Sequence, residues 1–359
     1  MADKSVVLVT GVSKYWGALV ARQLLDRSLP QVGDFKSAMG ILQVIGVDTE
    51  PPTVEIKGLD FIQADVRNPY FLELLKTEKV DTVCHLALDE DSRPGEAAFD
   101  LNVMGTMKLL GSCAEAGIRK VVLRSSTTVY GAKASNPAFI TEKHPLQGDK
   151  KHGATGHLVE IETFCSGFRR QVPDMILTIL RFPGIIGPYV DSELTRYLKQ
   201  PVVPTLLGFN PLMQVIHEND VVAALVYGIL NDKPGAFNVA AEGNPPLSKL
   251  LALAGRSSVP VLHWLAYWSD PLMRNHWPVD LDYLRYSWVA DLTQMREELD
   301  FVPQYTAEEA LREFAGQQRL GRYKSRDPVS AKDEELLKDT LERRRRMKEQ
   351  QAVAPVDRP

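Results

Sequence analysis

Short apolar runs alternate with amphipathic stretches through the first half of this chain. Ser5–Gly11 (SVVLVTG) is a β-branched run closed by glycine, the pattern of a buried strand. Gly17–Ser28 then repeats apolar residues at helical spacing. Ile41–Asp48 and Gly58–Val66 read as the next two strands. Pro69–Val80 reads as a helix with proline in its first turn. Val80–Leu88 is a strand, Asn102–Gly117 a helix ended by glycine, and Ile118–Ser126 a strand. A helix around Gly156–Arg170 and a strand Asp174–Phe182 continue the alternation. Strands alternating with helices imply right-handed crossovers and a parallel sheet covered on both faces, the doubly wound Rossmann-type α/β architecture.

After Phe182 the pattern loosens. Residues 188–320 are rich in proline and aromatics, with short strand-like pieces such as MQVIHEND and GAFNVAAE. The expected organisation is a nucleotide-binding domain over 1–187, a smaller substrate lobe over 188–320 interwoven with the end of the sheet, and a charged helical tail over 321–359 that ends in a disordered stretch. Val259–Trp277 is the most aromatic segment. It reads as core, the alternatives being the wall of an apolar substrate pocket or a contact with a bilayer surface.

Composition narrows the function classes. The net charge of −4 over 359 residues gives no push toward nucleic acid. Cys84, Cys113 and Cys165 are scattered, without a CxxC pair, and the histidines form no HExxH; no metal site is expected. The start lacks the apolar core of a signal peptide, and no window approaches the roughly 18 apolar residues of a membrane span. A cytoplasmic protein is expected. The basic run ERRRRMKEQ near the end follows an acidic half, which suits a solvated helix; an acidic partner or a peripheral contact with acidic lipid is the alternative.

The first chemical signal is Gly11-Val12-Ser13-Lys14-Tyr15-Trp16-Gly17, between a strand and a helix, where a glycine-rich turn cradles a pyrophosphate. Gly11 allows the tight turn and Gly17 the close packing of the helix. Lys14 stands where a middle glycine lets backbone approach phosphate. Its side chain either crowds that site or swings outward to pair with phosphate, as in NADP-preferring turns. Asp48 ends the second strand, where a carboxylate accepts ribose hydroxyls and repels a 2′-phosphate. Asp48 is weighted more heavily, so NAD is expected over NADP. The alternative is a turn that binds nothing.

In order and spacing these motifs resemble the extended short-chain dehydrogenases/reductases, the NAD-dependent epimerase/dehydratase group that includes UDP-galactose 4-epimerase. Thr10-Gly11 to Gly17 resembles the TGxxGxxG turn, with Trp16 beside the cofactor. Ala64-Asp65-Val66 resembles the segment that holds adenine, and His85-Leu86-Ala87 the strand end on the nicotinamide side. Asn102 opens a segment like NxxGT; Ser125–Gly131 resembles SSxxVYG; Arg181–Pro188, with Pro183, resembles the stretch near nicotinamide; Gln214–Asp220 resembles a strand of the same family. The resemblance implies an NAD-dependent enzyme acting on an alcohol carbon, a Rossmann fold and a dimer formed through a helix pair.

It also implies a catalytic Y-x-x-S-K-x-x-x-E, about twenty-five residues after the Ser126 that orients substrate. Laid on HGATGHLVE, this puts His152 at the tyrosine, Thr155 at the serine, Gly156 at the lysine and Glu160 at the glutamate. The lysine matters because its ammonium lowers the tyrosine pKa and holds the nicotinamide ribose. Two unit charges about 4 Å apart in an effective dielectric near 20 interact by about 4 kcal/mol. Three readings stand open: His152 acts as acid/base, since imidazole needs no lysine near neutral pH; the centre is dead and the chain is a nucleotide-binding scaffold or regulator; or Lys150 or Lys151 enters from the preceding loop. A lipid- or sterol-directed dehydrogenase at a membrane surface is a further alternative to a sugar-nucleotide enzyme. Tyr130 and His217 read as structural.

Overall fold

The computed structural model describes residues 5–26, 41–88, 95–148, 154–267 and 279–326. A seven-stranded parallel sheet forms its centre, in the order β3-β2-β1-β4-β5-β6-β10. These are Asp60–Gln63, Ile41–Asp48, Ser5–Thr10, Thr82–His85, Lys120–Ser126, Ile176–Phe182 and Gly235–Asn238. The order reverses between β1 and β4, so the crevice at their C-terminal ends is the place where such sheets take ligands.

Side-chain alternation distributes the strands between two cores. Val7 and Val9 of β1 join Val122 and Leu180 on the face covered by α1 (Tyr15–Leu25) and α7 (Glu218–Leu230). Val6 and Leu8 join Val121, Leu123 and Leu177 on the opposite face. That face is covered by α2 (Phe71–Thr77), α4 (Gly105–Ala116) and α5 (Thr155–Gln171). Strands buried on both faces read as continuous apolar runs, which is why the pattern was visible in sequence. Each fully buried aliphatic side chain contributes about 1.5–3 kcal/mol.

The remaining elements differ from expectation in detail. α2 begins at Phe71, with Pro69 outside it. Between Glu96 and Ala116 the chain is helical throughout, but Asp100–Met104 is a π-helical turn joining α3 (Glu96–Phe99) to α4. Gly117 closes α4 in the left-handed conformation, φ 71°, as expected of a glycine end. The strand-like MQVIHEND yields only β9 (Val215–His217), which pairs with β7 (Gly184–Ile186), and turns into α7 at Glu218. There the His217 side chain caps α7, accepting from the Asn219 amide.

A further core gathers α6 (Glu193–Lys199), β8 (Val203–Leu206), α8 (Leu247–Leu253) and the C-terminal helix Ala307–Arg326. The described part of the aromatic segment is core only in part: Ala266 is buried in this cluster and Val261 packs against it. β11 (Ser258–Val261) pairs only with β8, an edge that leaves Val259, Leu262 and Trp264 exposed. Residues 268–278 and the charged tail from 327 onward lie outside the described residues. Among those described, no helix is long and apolar enough to cross a membrane.

One buried ion pair holds the sheet to α5. Arg181 at the end of β6 and Glu162 on α5 are 4% and 2% exposed. Arg181 Nε donates to Glu162 Oε2 at 3.0 Å, and Ser125 Oγ donates to Oε1 at 2.6 Å. Arg181 Nη1 donates to Tyr130 Oη, which donates to Asn238 Oδ1 at 2.7 Å. Tyr130 is thus fully buried and tied to β6 and β10, a structural residue. Breaking one member of a buried pair strands the other. Glu162→Ala is expected to cost about 3–5 kcal/mol in urea denaturation, and Glu162→Leu with Arg181→Met to recover most of it. A loss in the double variant equal to the sum of the losses in Glu162→Leu and Arg181→Met alone would show that the pair is not coupled.

Candidate functional site at the sheet switch point

β1 ends in a turn whose backbone touches itself. Gly11 has φ +76°, and a Cβ there would lie 2.7 Å from the Leu86 carbonyl carbon and 2.8 Å from the Ala87 nitrogen. A Cβ on Gly17 would lie 2.1 Å from the Gly11 oxygen. Both glycines are therefore required by close backbone approach, Gly17 against the turn itself. Lys14, by contrast, has an ordinary extended backbone, φ −92° and ψ 164°. Its side chain reaches across the crevice, and Nζ donates to the Leu88 carbonyl at 3.1 Å. The middle position needs no glycine, because the lysine side chain leaves the turn. The first amides of α1 have no intrahelical acceptors, and the helix dipole adds positive potential there. A pyrophosphate fits this cradle.

A hydroxyl–imidazole chain locks β1 to β4 beside the turn. Thr10 Oγ1 accepts from the amides of Leu86 (3.1 Å) and Ala87 (3.2 Å) and lies 2.8 Å from His85 Nδ1. Having accepted twice, the hydroxyl donates to Nδ1. That leaves the proton on Nε2, which faces Thr106 Oγ1 at 3.1 Å; Thr106 donates to the Asn102 carbonyl. His85 is a neutral donor–acceptor link, and burial pushes its pKa down to about 4.

The other predicted cofactor residues fall around the same crevice. Asp48, at the end of β2, accepts from the Ser13 amide at 3.0 Å, from the Ser13 hydroxyl and from the Thr49 amide at 2.8 Å. It anchors the turn between β1 and α1. Asp65 follows β3 and pairs with Arg67, whose Nε sits 3.0 and 3.1 Å from the two carboxylate oxygens; Arg67 also reaches Asp100. This ion pair holds Asp65 well below the usual carboxylate range. Val66, beside it, is buried. Asn102 is buried in the π-helical turn, its amide nitrogen 3.1 Å from His157 Nδ1 on α5.

Farther along, a cleft opens with about 1060 Å³ of empty space including its mouth. Ser126 and Pro183 line it, with Trp16 on the turn side. Ser126 Oγ accepts from the Thr128 amide (3.2 Å) and hydroxyl (3.0 Å), and Thr155 Oγ1 donates to Thr128 Oγ1 at 3.1 Å. A hydroxyl that accepts twice keeps its own proton for an acceptor in the cleft. Thr155 is thereby fixed at the start of α5, and Gly156 next to it is buried. His152, Lys150 and Lys151 lie outside the described residues.

Sequence reasoning missed several cleft residues. Arg124 shares the face of β5 with Ser126, two residues on, and its guanidinium lies 5.3 Å from the Trp16 ring centroid. Strand alternation alone could have found it. Tyr283 and Trp288 come from far down the chain; their rings meet edge to face at 4.6 Å, and Tyr283 Oη donates to the Thr128 carbonyl at 3.0 Å. Tyr15 Oη donates to Glu218 Oε2 at 2.8 Å, and Glu218 also accepts from the Val190 amide at 2.6 Å, joining the turn to the cleft rim. No local sequence pattern marks those pairings.

Residues 7–240 match the model of the NAD dependent epimerase/dehydratase family. An uncharacterized protein of Mycobacterium tuberculosis is 34% identical over 322 residues, covering 86% of this chain and 83% of its own. A UDP-glucose 4-epimerase of rice, Oryza sativa, is 29% identical over 239 residues, 64% of each chain. Among solved structures, the UDP-glucose 4-epimerase of Thermotoga maritima with UDP-glucose superposes with TM-score 0.63 at 19% identity, covering 88% of this chain and 99% of that one. The dTDP-glucose 4,6-dehydratase of Bacillus anthracis, in complex with NAD, gives 0.64 at 16%, covering 88% and 96%. At those identities the structures establish the fold.

The His85 shift has a testable sign. The unfolded chain titrates near 6.5 and the fold near 4, so the fold binds fewer protons between them. This contribution is complete above pH 6.5 and is lost as pH falls toward 4, by at most about 3 kcal/mol at about 1.36 kcal/mol per pH unit. Urea midpoints measured across this range are expected to fall more steeply for the natural protein than for His85→Asn; parallel curves would assign the acid sensitivity elsewhere.

Proposed function

The chain belongs to the NAD dependent epimerase/dehydratase family, and from that premise we propose that it binds NAD along the switch-point crevice and works without a tyrosine–lysine pair. The pyrophosphate lies on the start of α1 between Gly11 and Gly17, with Lys14 able to exchange the Leu88 carbonyl for a phosphate oxygen. The adenosine ribose lies toward Asp48, and adenine toward Asp65 and Val66. The nicotinamide end lies toward Leu86, Ala87, Asn102 and Pro183. Ser126 donates its remaining proton to the oxygen of a substrate alcohol or carbonyl. When bound, NAD supplies the hydride acceptor. Asp48 accepts from the Ser13 and Thr49 amides and the Ser13 hydroxyl, so it is oriented before ligand arrives. That preorganised carboxylate supports NAD over NADP.

The observation that carries the altered centre is the register of α5. The Thr155–Thr128 hydrogen bond pins the helix start, and a Cβ on Gly148 would meet Thr155 Cγ2 at 2.6 Å. With Thr155 taken as the serine of the family pattern, Gly156 falls at its lysine, and the burial of Gly156 at the start of α5, with no side chain to carry charge, supports that reading. Without that ammonium a phenol near pKa 10 has no help in ionising. His152 is the acid/base this reading assigns, because imidazole exchanges protons near neutral pH unaided. The same glycine equally supports a second reading, a nucleotide-binding protein without turnover.

Thermal-shift titration of the purified protein is expected to show stabilisation by NAD exceeding that by NADP, with the gap closing in Asp48→Ala. A larger shift with NADP in the natural protein would contradict the cofactor reading. With NAD saturating, absorbance at 340 nm across alcohols and sugar nucleotides separates the two readings of the centre. A signal falling at least about a hundredfold in His152→Ala supports the rebuilt enzyme. An equal signal in both proteins removes His152 from the mechanism, and silence across the panel supports the binding protein.

A further inference from the structure

The β8–β11 pair ends in an apolar tip. The two strands run parallel, and the chain turns after each of them. After β8 the Phe209 amide donates to the Leu206 carbonyl at 3.1 Å, and Gly208 takes φ +87°, a conformation that glycine supplies in such turns. A Cβ on Gly208 would meet nothing within 4 Å, so this turn stands in open space. After β11 a helical turn begins at Leu262, whose carbonyl accepts from the Leu265 and Ala266 amides at 3.0 Å. The two turns abut. The Leu207 amide donates to the Val261 carbonyl at 2.8 Å, and the Phe209 and His263 rings meet edge to face at 6.1 Å.

On these turns Leu207, Leu262, Trp264 and Leu265 are 52%, 45%, 60% and 40% exposed. A single exposed leucine needs no explanation, but a group of four on abutting turns marks a surface that meets something apolar. The segments that build the tip carry no carboxylate. No Asp or Glu occurs from Leu194 to His217 or from Gly243 to Tyr267, although acidic residues make up 46 of the 359. Arg285 arrives from farther along the chain. Its guanidinium carbon lies 5.2 Å from the Phe209 ring centroid, 4.9 Å from that of Tyr286 and 6.0 Å from that of Tyr267, so aromatic faces hold a cation beside the tip. The Asp282 carboxylate accepts the Tyr267 hydroxyl.

A stable protein partner needs about 20–30 residues on each side, far more than this tip offers. A bilayer accepts a few inserted apolar side chains, and aromatic rings with polar edges settle at its boundary with water. We propose that the tip docks the protein on an anionic bilayer surface. Leu207, Leu262, Trp264 and Leu265 enter the boundary between headgroups and acyl chains, and Arg285 lies at the level of the lipid phosphates. The docked face adjoins the cleft, because Asp282, which holds Tyr267, precedes the cleft residue Tyr283 in the helical turn Leu281–Leu284. The proposal does not depend on the NAD reading.

The test floats the full chain with vesicles of phosphatidylcholine alone, or of phosphatidylcholine and phosphatidylglycerol in equal parts, and follows tryptophan emission. The natural protein is expected to float with the mixed vesicles and to show a blue shift that Trp264→Phe loses while still floating. Leu207→Ser with Leu262→Ser is expected to weaken partitioning at least about tenfold at an unchanged urea midpoint, since both side chains are already exposed in the free protein. Arg285→Gln is expected to weaken binding to mixed vesicles about fivefold, and Arg285→Lys to restore most of it. Replacing Arg343–Arg346 of the basic run by glutamine is expected to leave the blue shift in place. The proposal is overturned by absence of flotation, by equal flotation with both vesicles, or by unchanged flotation in the double leucine variant. A double variant that turns a dimer into a monomer while vesicles bind neither protein overturns it in favour of a second copy on the tip. If the double variant lowers the urea midpoint, Trp264→Phe decides, and a blue shift retained there overturns the docking.

Discussion

The backbone contact between Gly17 and the Gly11 carbonyl sets the geometry on which the whole site depends. No side chain fits between them, and none fits between Gly11 and the end of β4. These two contacts bring α1, β1 and β4 together at one point. Trp16 is then held on the first turn of α1, beside Arg124 on β5. Asp48 reinforces the turn through Ser13, and His85 ties β1 to the helix that carries Asn102. The crevice is rigid because its walls are backbone, and rigid backbone donors are what an anionic cofactor needs.

Charge is handled differently on the two sides of the sheet's C-terminal edge. Below it, Arg181 and Glu162 neutralise each other in full burial, with Ser125, Tyr130 and Asn238 satisfying their remaining bonds. That network is closed and structural. Above it, Arg124 and Ser126 line the cleft, where a ligand can reach them. Adjacent residues of one strand thus serve opposite purposes, Ser125 in the closed network and Ser126 in the open site. The two-residue period of the strand divides them.

The central sheet was legible in sequence because strands buried on both faces are continuous apolar runs broken by glycine turns. The family was legible for a related reason: its motifs are backbone requirements, and Gly11 and Gly17 tolerate no substitute. Less legible was Lys14, whose side chain leaves the turn toward Leu88, a direction that depends on where β4 ends. The aromatic segment read as core, which holds for Ala266; β11, however, sits at the edge of a two-stranded pair, and composition does not say which strand has a neighbour on its outer side.

What the sequence determined by itself was local: the strand–turn–helix cradle, the carboxylate ending β2, and the glycine-containing start of α5. Each follows from covalent spacing within a few residues. What only the tertiary structure decided was convergence. Tyr283 reaches the Thr128 carbonyl, Trp288 closes the wall, and Arg124 meets Trp16 across more than a hundred residues of chain. Packing brings these groups together through contacts between surfaces, and a contact between distant surfaces leaves no periodic trace in the order of residues.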